Sequence, residues 1–430
     1  MNGCLKYLIE KHHLERYRIP ALILLVILTF GLLMLKAEVS FQLDSESLVG
    51  DPIIALINHH EIDQSQFGLG YLNNNGSQMM YLYLLEEDPT LENEYTYTTY
   101  YSQLGLQGYF FCAVTRLFRD IRMITWFRWS CCAVFSALLV AITIQLYRRY
   151  HLLYAICFWA ISVNSNWISS FSPNLYWVMF TWFVPMLLGI LCLTHDKYRK
   201  LLYPLFFASV IIKSLCGFEY LSTILIAAEV WLAAEWILHK EKRASLFRCI
   251  LISGLCMLAG FAVAAVVQMA VYGNGNIRQG YDFFMHYLVH RRTFGNPEEF
   301  NPAYFDSLNA SSGTVLKKYL WDYEEGKKML LLLVASLLFL LTDRVLFKRD
   351  RKQDLSLLLL HLAAPLSWFI LAKSHSYIHT HINFVLYYLG FAQTAAYCLI
   401  ATVTSHIRIV APDGSEKIQP DGKIILKFVK

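Results

Sequence analysis

The sequence predicts an all-α polytopic membrane protein of about ten transmembrane helices, with further helices lying in the outer interface. Three observations predict it. First, 56% of the 430 residues are hydrophobic and 16% are charged, whereas a soluble domain carries about 25% charged residues; mean hydropathy is +0.41. Second, apolar runs that can cross a ~30 Å hydrocarbon core recur along the chain. Third, drawing ten spans places every basic cluster between them on one side, which the positive-inside rule makes cytoplasmic.

The spans fall at roughly 19–36, 124–146, 152–170, 174–194, 201–216, 219–238, 247–272, 328–343, 354–372 and 382–404. The first follows a basic segment, MNGCLKYLIEKHHLERYRIP, that lacks a small-residue cleavage site, so it reads as an uncleaved span. The basic clusters are that segment, YRRYH (147–151), HDKYRK (195–200), HKEKR (239–243), DRVLFKRDRK (343–352) and the lysines of the tail. Both termini are therefore expected in the cytoplasm, and the chain in a bacterial cytoplasmic membrane.

Residues 1–404 form the transmembrane domain, with outer loops at about 37–123 and 273–327. Between Ala37 and Thr115 there is no Lys or Arg, but there are eleven acids. The run 100–118 is apolar, yet a full span there would reverse every later loop, so it is expected to lie in the interface. YDFFMHYLVHRRTF, in the second loop, is read the same way. The tail, 405–430, carries two Asp-Gly turns between short alternating runs, the signature of a small β-hairpin.

Composition also excludes function classes. There is no Gly-rich phosphate loop, no zinc-finger spacing and no basic low-complexity tail, so nucleic acid is not an expected partner. The ten cysteines lie mostly inside apolar runs and form no CxxC pair, the pattern of small core hydrophobes.

Polar groups beside membrane spans are costly and mark function; here they gather on the outer side. FQLDSESLVGDP supplies Asp44, Glu46 and Asp51. In an extended segment Asp44 and Glu46 share a face, where one can take a proton from a hydroxyl or the pair can hold a divalent cation. No cofactor is firmly required. Gln103 and Gln107 lie on the 100–118 segment, and Lys213 and Glu219 flank the turn KSLCGFEY. His286 and His290 precede Arg291 and Arg292; Lys373 precedes His375, His379 and His381. Histidines at i and i+4 suit a metal, but neighbouring cations oppose a metal and favour phosphate. No metal site is therefore assigned, and these groups are expected to bind substrate, Asp44, Glu46 and Asp51 being the catalytic candidates.

The arrangement resembles the GT-C superfamily of integral-membrane glycosyltransferases: a basic N-terminus, one span, an acid soon after it (Asp44), an interfacial segment with YYSQLGLQG, a run of spans and a later outer helix. SQLGLQG and KSHSYIHTHINF also look like segments of bacterial polysaccharide-locus membrane proteins. The resemblance implies a GT-C-like fold and transfer at the outer face from a polyprenyl-phosphate-linked sugar to a glycan or lipid acceptor, in contact with membrane lipids. It implies an acid of the first outer loop as base and basic residues of later loops on the lipid phosphate. The acids here are split as DSE where many relatives carry an adjacent pair, and there is no large C-terminal extracytoplasmic domain. The alternatives are a polysaccharide polymerase or ligase, and a non-catalytic transporter of lipid-linked saccharides.

Overall fold

Apolar runs become helices wherever the sequence places them, and the polar residues between them decide where each helix stops. The computed structural model describes residues 18–37, 43–59, 61–74, 77–78, 96–120, 122–410 and 425–428, the side chains of 18, 43–44, 73–74, 77–78, 407–410 and 425–428 excepted. The basic N-terminal segment and the acids at 86–94 lie outside the described residues.

Among the described residues, six helices are long and apolar enough to cross a membrane: α1 (Arg18–Lys36), α4 (Met123–Arg149), α9 (Leu221–Leu238), α10 (Arg243–Tyr272), α14 (Glu324–Leu346) and α15 (Lys352–Leu371). Three apolar helices are shorter: α5 (Leu152–Asn164), α7 (Phe180–Thr194) and α17 (Phe391–Thr404). The helix α8 (Arg199–Cys216) includes Arg199, Lys200 and Lys213. The core runs between α4, α7, α9 and α15, where Phe135, Phe183, Trp182, Trp231 and Phe369 are fully buried.

The shortened helices have local causes. The expected span 152–170 breaks at Ser165, which is extended and whose hydroxyl accepts from the Ile168 N–H at 3.3 Å, capping a second helix, α6 (Asn166–Phe171). The span expected from 174 begins only at Phe180. Before it, the Asn174 side chain accepts from the Tyr176 and Trp177 N–H groups at 2.9 and 3.1 Å, folding NLYW into a turn. The last span is interrupted too: Asn383–Tyr388 is 3-10 helix, and α17 starts after Gly390 at φ 116°.

The described part of the expected first outer loop holds regular structure that its polar sequence does not predict. Its start is a helix, α2 (Leu43–Ile57), with Val49, Ile53 and Leu56 buried at i, i+4 and i+7. A three-stranded antiparallel sheet follows, formed by β1 (Gly70–Asn74), β2 (Ser77–Gln78) and β3 (Thr96–Thr99) in the order β2-β1-β3. Gly70 pairs with Thr99 and Asn73 with Thr96. The described residues are otherwise mostly helical. The expected interfacial helix is α3 (Leu106–Phe118), entered through Gly105 at φ 73°, a left-handed conformation that glycine adopts without strain.

The second loop contains α11 (Ile277–Phe284), which runs into a π-helical turn at Met285–His290. Two short helices follow, α12 (Phe305–Asn309) and α13 (Ser312–Lys317), then a π turn at Lys318–Asp322. After α15 comes α16 (Lys373–Ile378). In the tail, β4 (Ile407–Val410) pairs antiparallel with β5 (Ile425–Phe428), Ile407 opposite Phe428.

Candidate functional site

At one end of the bundle the turns before α7, between α8 and α9, after α11 and after α15 meet α2 and the sheet. Between them lies a cavity of about 570 Å³, whose lining includes Asp51, Glu219, Arg291, Arg292, His375 and His379. Tyr71, Tyr100, Tyr176, Trp177 and Tyr304 supply aromatic wall.

The helix α2 decides which acid reaches the cavity. At about 100° per residue, Ser47, Leu48 and Asp51 fall on one face, and all three line the cavity. The expectation that Asp44 and Glu46 share a face of an extended segment is therefore corrected, because two residues along a helix turn side chains by about 200°. Glu46 points into the bundle instead. It is fully buried, accepts from the Leu175 N–H at 3.0 Å and lies 3.7 Å from the Arg128 Nε. Burial raises its pKa against the pull of Arg128 and the Leu175 N–H. Asp51 is also buried, and its Oδ2 accepts from the Leu72 N–H at 3.0 Å, tying α2 to the sheet. The Asp44 side chain lies outside the described residues.

The cationic wall is built from one segment on another. The Arg292 carbonyl accepts from the His375 N–H at 3.2 Å, which fixes α16 against the end of the π turn. Arg292 is buried, and its Nη2 lies 3.0 Å from the Glu219 Oε1. Ser102 Oγ accepts from Arg291 at 3.0 Å and from Arg292 at 3.3 Å. The Gln103 amide bridges Glu219 and the Tyr176 hydroxyl: with its nitrogen 2.8 Å from the Glu219 Oε2, its oxygen accepts from Tyr176. Gly217 stands beside this pair, and a Cβ there would fall on the side-chain oxygens of Gln103 and Glu219.

The two arginines thus differ. Arg292 is neutralised by Glu219, while Arg291 meets the Ser102 hydroxyl and packs 5.5 Å from the Tyr304 ring centroid. No carboxylate among the described residues lies within ion-pair distance of Arg291. The His375 and His379 rings lie 4.2 Å apart, and the buried Nδ1 of His375 has no hydrogen-bond partner. Burial, then His379 and the two arginines, holds the His375 pKa well below the usual histidine value. The ring is neutral at pH 7, and Arg291 provides the unneutralised positive charge.

Several predicted residues stand elsewhere. Lys213 donates to the Gly217 carbonyl at 2.6 Å, closing the end of α8. Gln107 donates to the Tyr176 carbonyl at 2.9 Å and so supports the wall from behind. Lys373 donates to the Leu308 and Ala310 carbonyls at 2.5 and 2.7 Å, and burial lowers its pKa. His286 stacks on Phe300, with ring centroids 4.4 Å apart, and His290 is exposed. His381 is exposed, 5.6 Å from the His379 ring centroid. None of these six lines the cavity. The aromatic wall is the part that sequence reasoning passed over; the Asn-turn of SPNLYW, which presents Tyr176 and Trp177, was its one local signal.

Among the described residues, no cluster of three or more His, Cys, Asp or Glu side chains is placed to hold a metal ion. No protein-family model, curated protein or solved structure matches the chain.

Proposed function

We propose that the chain is a membrane glycosyltransferase of GT-C type that takes a sugar from a polyprenyl-phosphate donor at the outer face, in building or modifying a cell-surface glycan. In this reading α1, α4, α5, α7, α8, α9, α10, α14, α15 and α17 are ten spans, and the basic loops and both termini face the cytoplasm of a bacterium. The observation that carries it is the meeting of Asp51, Arg291 and His379 on one cavity beside an aromatic wall.

The chemistry follows from the charges. Asp51 takes the proton of an acceptor hydroxyl as that oxygen attacks the anomeric carbon. The bond from that carbon to the phosphate oxygen breaks, and the phosphate leaves with the electron pair. Negative charge grows on the departing phosphate, which Arg291 stabilises with hydrogen bonds from its fixed planar fork. Glu219 orients Arg292 and, through it, the backbone of His375. The tyrosines and Trp177 offer apolar faces to a sugar ring, and their hydroxyls offer hydrogen bonds. Of the three acids singled out from the sequence, Asp51 is the one whose described side chain lines the cavity, which makes it the base in this mechanism.

The test is a proteoliposome assay with a panel of polyprenyl-phosphate sugars. The expected result is acceptor-dependent release of polyprenyl phosphate and a new glycosidic product. Donor crossing the bilayer without any product would instead establish the transporter alternative. Joining of preassembled glycan units with no single-sugar transfer would establish the polymerase or ligase alternative.

A further inference from the structure

Away from the site, α8 and α10 enclose a groove on the outside of the bundle. On α8 its wall runs from Lys200 through Tyr203 to Phe207, and on α10 from Ile252 through Cys256 to Ala259. These are positions i, i+3 and i+7 of one helix and i, i+4 and i+7 of the other, so each helix gives one continuous face. The groove has a volume of about 480 Å³. From Lys200 to Phe207, at about 1.5 Å per residue, it is about 10 Å long. Leu201, Leu205, Leu251 and Leu258 beside it are exposed, so it opens onto a surface suited to lipid.

Its two ends differ. At the level of Phe207 the helices touch: a Cβ on Gly260 would lie 2.5 Å from the Phe207 carbonyl oxygen, and the groove closes there. The other end opens toward the basic segments HDKYRK and HKEKR. Lys200 stands at that mouth and is exposed. Arg248, one turn before Ile252 on the same face of α10, is exposed as well. No carboxylate among the described residues lies within ion-pair distance of either cation. Arg199, between them, is already engaged. It donates to the Cys192 carbonyl at 2.8 Å and to the Ser245 hydroxyl at 3.0 Å, tying the start of α8 to α7 and α10.

We propose that the groove between α8 and α10 binds a phospholipid with an anionic headgroup, its acyl chain along Tyr203 and Phe207 and its phosphate between Lys200 and Arg248. The proposal does not depend on the glycosyltransferase reading. An acyl chain gains little by leaving other acyl chains, because the bilayer is as apolar as the groove. Selection therefore falls to the headgroup. The ammonium of Lys200 and the guanidinium of Arg248 both attract phosphate oxygens, and both are open to the surface. A zwitterionic headgroup brings its own cation to this pair and finds no acid there to meet it. An anionic headgroup brings only the charge that the mouth lacks.

The test is photocrosslinking of the full chain in nanodiscs with phosphatidylglycerol or phosphatidylcholine carrying a diazirine on one acyl chain. Labelled peptides are quantified by mass spectrometry. Labelling of 200–207 and 252–259 should be roughly tenfold stronger with the glycerol lipid. Lys200→Gln combined with Arg248→Gln should abolish that preference, and Arg344→Gln, an exposed cation of α14, should keep it. Ala259→Trp fills the groove without touching a cation, so it should cut labelling of both peptides by either lipid and leave labelling of α1 unchanged. Equal labelling by the two lipids, or a preference that survives the double substitution, would overturn the proposal. So would competition by excess unlabelled polyprenyl phosphate where the same excess of phosphatidylglycerol has no effect, because the groove would then belong to a polyprenyl lipid.

Discussion

The two ends of the α9–α15 pair are built from the same residue types, Arg, Glu, Asp, His and Tyr, yet their charges are paired differently. At the Asp51 end, Glu219 neutralises Arg292 and Arg291 remains beyond ion-pair reach of any described carboxylate. At the Glu235 end, Arg149 and Arg351 are both engaged by acids. Each end holds a cavity, of about 570 Å³ and about 160 Å³ respectively. Composition alone therefore does not assign a ligand. The pairing left over after folding differs: Arg291 keeps its charge at one end, while both arginines of the other end are paired with acids.

The largest expected break in this contrast comes from Asp51→Asn. General-base catalysis contributes about 10²–10⁴-fold, so transfer should fall by that range while donor binding and membrane insertion persist. Transfer within threefold of wild type would remove Asp51 from the mechanism.

Lys373→Met is expected to act differently. It leaves the Leu308 and Ala310 carbonyls without their donor, at a cost of about 1–3 kcal/mol in stability. The surviving protein should keep wild-type affinity for polyprenyl phosphate. A selective loss of affinity at unchanged melting temperature would return Lys373 to the phosphate site.

The smallest effect concerns His375. Its pKa is depressed in the folded state, so the folded chain binds fewer protons than the unfolded one as pH falls. Its contribution is present above the unfolded value of about 6.5 and is lost as pH drops below it, by at most about 1.4 kcal/mol per pH unit. Between about pH 7.5 and about pH 5.5, the melting temperature of the wild type should drop further than that of His375→Asn. Parallel drops would show that His375 is not held neutral.

The helical positions were legible because an apolar run has few alternatives to a helix in lipid, where every backbone group needs a partner. The structure of the expected first outer loop was not. FQLDSESLVGDP reads as a polar loop, and only the burial of Val49, Ile53 and Leu56 against the bundle makes it a helix. That change moved Glu46 away from the cavity and Asp51 into it. The sheet was hidden for a similar reason, since its strands are short, rich in Asn and Thr, and far apart in sequence. Among the cations the limit is tertiary. Nothing local tells that Lys213 and Lys373 meet backbone carbonyls while Arg291 meets a hydroxyl and lines the cavity. His375 and His379 were singled out as a pair, and their rings do lie together on the cavity wall.

In the proposed mechanism Arg291 is the charge left to meet a phosphate. The most direct measurement is equilibrium binding of polyprenyl monophosphate to the purified chain and to Arg291→Ala, with Glu235→Gln as the control at the other end. A hydrogen bond to a charged group is worth about 1.5–3 kcal/mol, so Arg291→Ala should weaken binding about 10- to 150-fold and Glu235→Gln should leave it unchanged. Equal affinity in the wild type and Arg291→Ala, or a matching loss in Glu235→Gln, would contradict the assignment of the anion to the Asp51 end.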